Sequence, residues 1–125
     1  MRHERHYTLV EARGQLGWVA EQLEAMREAR EQLSDVEART ALAEASASNG
    51  GGTLGRQVGE AFRDLRFALA ALSDREIVLR DLDRGLIDFP AIREGREVYL
   101  CWIEGEEDIG YWHELDAGYP GRQEL

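Results

Sequence analysis

Residues 77–122, IVLRDLDRGLIDFPAIREGREVYLCWIEGEEDIGYWHELDAGYPGR, decide the fold. Between turn-forming residues they hold four runs rich in β-branched and aromatic side chains, 77–82, 86–92, 96–103 and 109–114, which predict four strands. Short turns then fix the register. Glu94-Gly95 suits a two-residue hairpin with glycine at positive φ, setting Arg93 opposite Arg96 and Phe89 opposite Leu100. Asp83-Arg84-Gly85 suits a three-residue loop that sets Leu82 opposite Leu86, and a tight turn at Gly105-Glu106 sets Trp102 opposite Ile109.

Side chains alternate along a strand, so this register sorts them into two faces. One face takes Ile87, Phe89, Val98, Leu100, Trp102 and His113 and should meet the helices. The other takes Arg80, Asp88, Tyr99, Cys101, Trp112 and Glu114. A cross-strand row on it reads Arg80, Asp88, Cys101, and the Arg80–Asp88 salt bridge there would contribute about 0.2–1 kcal/mol. With Leu82, Leu86 and Ile103 added, this second face is too apolar for open water. The C-terminal tail, a second copy of the chain or a ligand should cover it.

Before the sheet the period changes from two to three and four. Thr8-Leu9-Val10-Glu11 has capping-box spacing, and Leu9, Ala12, Leu16, Val19, Leu23, Met26 and Leu33 form one helical stripe behind it. Ser34-Asp35-Val36-Glu37 repeats the capping spacing. An unbroken helix from Thr8 to Ser46 would be about 58 Å long, more than its partner could match, so either a break near Ser34 or a protruding end is expected. Residues 46–53 form a Gly-rich link that lacks the preceding strand and the closing Lys-Ser/Thr of a phosphate loop. A second helix from Leu54 to Ser73 should turn Leu54, Val58, Ala61, Phe62, Leu65, Leu69 and Leu72 inward. Gly55 and Gly59, one turn apart, would admit another backbone, and Trp18 lies off the buried stripe; with Trp112 these are the interface candidates.

The chain has 125 residues and one cysteine, so it is read as a single domain, 1–125, without an intrachain disulfide. Residues 1–75 form the helical hairpin, and 76–125 form the meander and tail. No leader or long apolar run is present, which makes a cytoplasmic protein with no membrane partner the expectation. All fifteen cations are arginine, and five of them face thirteen acids from Glu76 onward, leaving −8 of the net −10 there. Such a surface repels phosphate backbones, and no nucleic acid is expected.

Chemistry is sparse. A Cys101–His113 nucleophilic pair needs hydrogen-bond reach, and the register puts the two on opposite faces. His113 with Glu114 is the candidate metal pair, although neighbours on a strand diverge. A small-molecule site on the second face would use Arg80, Asp88, Tyr99, Cys101, Glu106, Trp112 and Arg122.

The motifs Asp81-x-x-x-Gly85-Leu86-Ile87-Asp88-Phe89-Pro90, Leu100-Cys101-Trp102, Gly105-Glu106, Trp112-His113 and Gly118-x-x-Gly121-Arg122 are long enough to be specific. With HYTLVEAR near the start and SNGGG in the middle, the chain resembles a bacterial family known only as domain of unknown function 2203. That resemblance implies no activity, cofactor or catalytic residue.

The sequence thus predicts an α+β domain, an antiparallel helical hairpin packed on a four-stranded antiparallel β-meander. The leading functional expectation is a non-catalytic interaction or self-assembly module, a homodimer, with no cofactor. The alternatives are a small-molecule binder or enzyme with a polar site on the sheet, and a metal-binding protein through His113 and nearby acids.

Overall fold

The computed structural model describes residues 1–45 and 51–125, with side chains outside 36–54. The chain forms helix α1 (Leu9–Ala45), helix α2 (Gly51–Asp74) and strands β1 (Val78–Asp81), β2 (Leu86–Arg93), β3 (Arg96–Ile103), β4 (Tyr111–Glu114) and β5 (Gln123–Glu124). It is α+β as expected, but the antiparallel sheet has five strands in the order β1-β2-β3-β4-β5 rather than four. The fifth comes from the tail: a single 3₁₀ turn at Tyr119–Gly121 reverses the chain so that Trp112 pairs with Gln123. Glycine is required in that turn, because a Cβ on Gly121 would lie 2.5 Å from the Ala117 Cβ.

Two compact units divide the chain, Gln22–Ala70 and the combination of Met1–Glu21 with Ala71–Leu125. In the first, α1 buries Leu23, Met26 and Ala29 while α2 buries Ala61 and Ala68. The inward stripe of α2 therefore uses small residues. Phe62 and Leu69, expected inside, are 49% and 43% exposed because each sits one residue, about 100° of helix, past the alanine that makes the contact. Helix α1 runs through Ser34 without a break. Exposed Ser34 and Asp35 are tolerated on its solvent side, where capping residues cost little. The link at 46–50 and the inward reading of Leu54 lie outside the described residues.

The second unit holds the sheet. Thr8 and Glu11 form the predicted capping box: the Thr8 N–H donates to Glu11 Oε1 (2.9 Å) and the Glu11 N–H to Thr8 Oγ1 (3.1 Å). Helix α2 ends in a Schellman motif, with the Ile77 N–H on the Leu72 carbonyl, the Glu76 N–H on the Ser73 carbonyl, and Leu72 and Ile77 both buried. Its left-handed residue, normally glycine, is Glu76 at φ 54. Arg75, in that cap, lays its guanidinium 3.5 Å over Trp18 and donates to Gln15, so Trp18 is half-covered from within the chain.

The β2–β3 hairpin has the predicted register, Arg93 opposite Arg96 and Phe89 opposite Leu100, with Glu94 and Gly95 both at positive φ. The other two turns differ. In β1 an irregularity between Leu79 and Asp81 sets Asp81, not Leu82, opposite Leu86. The β3–β4 connection is longer than a tight turn and shifts pairing by one residue: Leu100 faces Trp112 and Tyr99 faces His113.

The cause is a set of side-chain bonds, three of them local and one from helix α1. Glu106 Oε1 accepts the Ile103 N–H (2.7 Å), the Glu106 carbonyl accepts the Trp102 indole (3.0 Å), and Asp108 holds Arg13 and the Ile109 N–H, both at 2.7 Å. Residues 104–110 are thereby a self-bonded loop, and β4 starts at Tyr111 instead of Ile109. One residue of slip exchanges faces along a whole strand. Trp112 joins Phe89 and Leu100 on the apolar side, under Arg93 at 4.6 Å, and His113 joins Tyr99, Cys101 and Asp88.

Candidate metal centre

The slip in β4 creates the site. Asp88 on β2, Cys101 on β3 and His113 on β4 share one face, with their ligand-type atoms all within 4.8 Å of one another. Asp88 and Cys101 are direct cross-strand partners, and His113 lies on the diagonal beside Cys101. The opposite-face placement that argued against contact between Cys101 and His113 is thus corrected. All three residues are at most 1% exposed.

Hydrogen bonds fix the state of each group. His113 Nδ1 lies 2.7 Å from the Glu114 carbonyl, which only accepts, so Nδ1–H donates there. In a neutral ring this leaves the Nε2 lone pair 3.0 Å from Asp88 Oδ1. Two lone pairs do not approach so closely in a buried site without a cation between them, either a proton or a metal. The other Asp88 oxygen accepts Arg80 Nε–H at 2.9 Å, forming the predicted salt bridge even though Arg80 has slipped out of the ladder. The Cys101 thiol lies within 4.8 Å of Asp88. Burial, then the charge on Asp88, pushes its pKa up to about 12, far from the range of a nucleophilic cysteine.

Tyr99 flanks the trio, its ring 5.5 Å from that of His113 and 5.1 Å from the Arg80 guanidinium carbon. Its outer neighbour is His3. His3 Nδ1–H donates to Glu76 (3.3 Å), so in a neutral ring the Tyr99 hydroxyl donates to His3 Nε2 (2.6 Å). Residues 1–7 reach this position through two carboxylates. Glu97 accepts the backbone N–H of Arg2 (2.7 Å) and of His3 (2.9 Å), and His6 Nε2–H (2.7 Å). Glu76 accepts the N–H of Glu4 and of Arg5 at 3.2 and 2.6 Å.

Burial alone would raise the pKa of Glu97, but the bonds from His6, His3 and Arg2 outweigh it and lower it to about 2. A carboxylate depressed from 4.5 contributes stability that is complete above about pH 4.5 and is lost as pH falls toward 2. Wild type should therefore lose its stability advantage over Glu97→Gln between pH 6 and pH about 2.5. Parallel urea titrations check this, and an advantage that persists through that range would contradict it.

The remaining candidates lie elsewhere. Arg122 donates to both oxygens of Glu106 (2.9 and 3.0 Å), stacks 3.9 Å over Tyr111 and reaches the Cys101 carbonyl at 3.5 Å, which ties the tail to the end of β3. Glu114 turns its carboxylate to Arg96 (2.7 Å) and offers the site only its backbone carbonyl. Trp112 is on the other face. A Cβ built on Gly55 or Gly59 meets nothing within 4 Å among the described residues outside its own helix.

A family model described as an uncharacterized conserved protein, DUF2203, matches residues 5–125, nearly the whole chain. The chain belongs to the DUF2203 family. No curated protein and no solved structure matches it. All three donors of the centre fall inside the DUF2203 match, whereas His3 precedes it. Among the described residues no helix is long and apolar enough to cross a membrane.

Proposed function

We propose that this protein binds a divalent transition metal, zinc first among them, through Asp88, Cys101 and His113. The observation that carries the reading is the convergence of carboxylate, thiol and imidazole donors from three adjacent strands at a fully buried point. A thiolate-imidazole-carboxylate set suits Zn²⁺, Co²⁺ or Ni²⁺ and not the hard-oxygen preferences of Mg²⁺ or Ca²⁺. Tetrahedral coordination separates such donors by about 3.3–3.6 Å, close to the 3.0 Å between His113 Nε2 and Asp88 Oδ1. Binding expels the thiol proton, and the thiolate and carboxylate then neutralise the dication. Outside the donors, the Glu114 carbonyl fixes the imidazole tautomer and Arg80 orients the carboxylate, the supporting contacts a metal site requires.

Three protein ligands leave a fourth position for water or a small ligand. Untagged protein, stripped and then reloaded, should take up about one Zn²⁺ or Co²⁺ per chain, with a thiolate-to-cobalt charge-transfer band in the cobalt form. Failure to take up either ion sinks the reading.

Self-assembly is a second reading, with a different basis from the one expected. The second face of the sheet is largely buried within the single chain, so it no longer asks for a partner. What supports assembly is α2, where Phe67 is 75% exposed beside an open groove floored by Ala25, Ala29 and Ala68. Light scattering at micromolar concentration should give a dimer that Phe67→Glu converts to monomer; a wild-type monomer removes this reading.

A further inference from the structure

From the way residues 1–7 are held, we infer that this arm is a lid that controls exchange of the metal, an inference that rests on the metal reading above. The three donors are so thoroughly buried that an ion reaches them only when a covering group moves. Tyr99 covers one side, in contact with both the His113 ring and Arg80, and its hydroxyl is bonded to His3 of the arm. Most of the surrounding backbone is locked into ladders. The arm, in contrast, has neither helix nor strand; its Tyr7 N–H meets the Pro90 carbonyl at 2.7 Å, and its other N–H bonds run to the side chains of Glu97 and Glu76. Segments held by side chains instead of a ladder open at lower cost.

The arm is also fastened in an unusual manner. Glu97 and Glu76 each grip consecutive backbone N–H groups, and each takes one histidine besides. Glu76 does so from a left-handed position, φ 54, that glycine would fill without strain. A residue kept there against that strain has a use for its side chain, and the side chain holds the arm. The device is therefore a latch of two carboxylates, with His3 as the finger that pins Tyr99 over His113.

Cobalt release tests the latch. Co²⁺-loaded wild type, His3→Ala and Glu97→Gln are mixed with excess EDTA at one pH, and loss of the charge-transfer band is followed. His3→Ala removes the finger while the Arg2 and His3 N–H bonds to Glu97 remain, and Glu97→Gln loosens the fastening. Both should start from the wild-type spectrum and release cobalt about tenfold faster, the kinetic equivalent of losing one charge-assisted hydrogen bond. Loading of Glu97→Gln at a rate at which wild type stays empty would support the lid equally. Equal release rates in all three proteins overturn the lid while leaving the metal site standing. No cobalt band in any of them overturns the site, and the lid with it.

Discussion

Replacing Asp88 with alanine should cost about 3 kcal/mol of folding stability in the metal-free protein. The carboxylate is the common partner of Arg80, Cys101 and His113, and it is 1% exposed. Arg80, with 41% of its side chain in solvent, recovers water when the pair is broken and loses little. His113 cannot, because it is as buried as Asp88 and its Nε2 would face a methyl group. The cost therefore arises on the imidazole side. Arg80→Ala should cost about 1 kcal/mol or less, and Asp88→Asn should fall between the two, since it keeps the shape but not the charge. Urea unfolding with unchanged m-values measures all three. Asp88→Ala within about 1 kcal/mol of wild type would mean that the trio carries no internal bonding worth the name.

His113→Ala and Cys101→Ser should each lower Zn²⁺ affinity by about a thousandfold, because each removes one of three bonds on which the total depends. Cys101→Ser carries an additional signature: the residual cobalt complex should lack the charge-transfer band, whereas His113→Ala should retain it. Arg80→Ala, which touches only the outer oxygen of Asp88, should lose about 10–100-fold, the range for a residue that orients a ligand. Competition against a chelator of known affinity reads all of these. If His113→Ala binds as tightly as wild type, the donors lie elsewhere. Glu114→Gln is the matching control, for its carboxylate is engaged with Arg96 and should leave affinity unchanged.

The sheet and its site were legible to different depths for one reason, the distance over which each determinant acts. Glu94 and Gly95 settle the β2–β3 hairpin among themselves, and with it the pairing of Asp88 with Cys101. Thr8 and Glu11 settle the start of α1 in the same way. Arg80 reached Asp88 as expected although its strand slipped, because a long side chain absorbs a shift that a ladder cannot. The β3–β4 loop was different. Its length follows from Glu106 capping Ile103 and the Trp102 indole closing on the Glu106 carbonyl, and from Arg13, far back in α1, holding Asp108.

The helices divide similarly. Periodicity found the stripe of α1 and, in α2, buried Ala61 and Leu72, but it also turned Phe62 and Leu69 inward. Packing left those two in solvent and buried Ala68, which the stripe had not included.

Alternation and turn chemistry, which reside in consecutive residues, determined by themselves that this chain makes two helices and an antiparallel sheet with Asp88 beside Cys101. Whether His113 joins them or turns away depends on a single residue of slip. That slip combines local bonds of Glu106 with the grip of Arg13 on Asp108 from across the fold, and that last contact only the tertiary structure supplied.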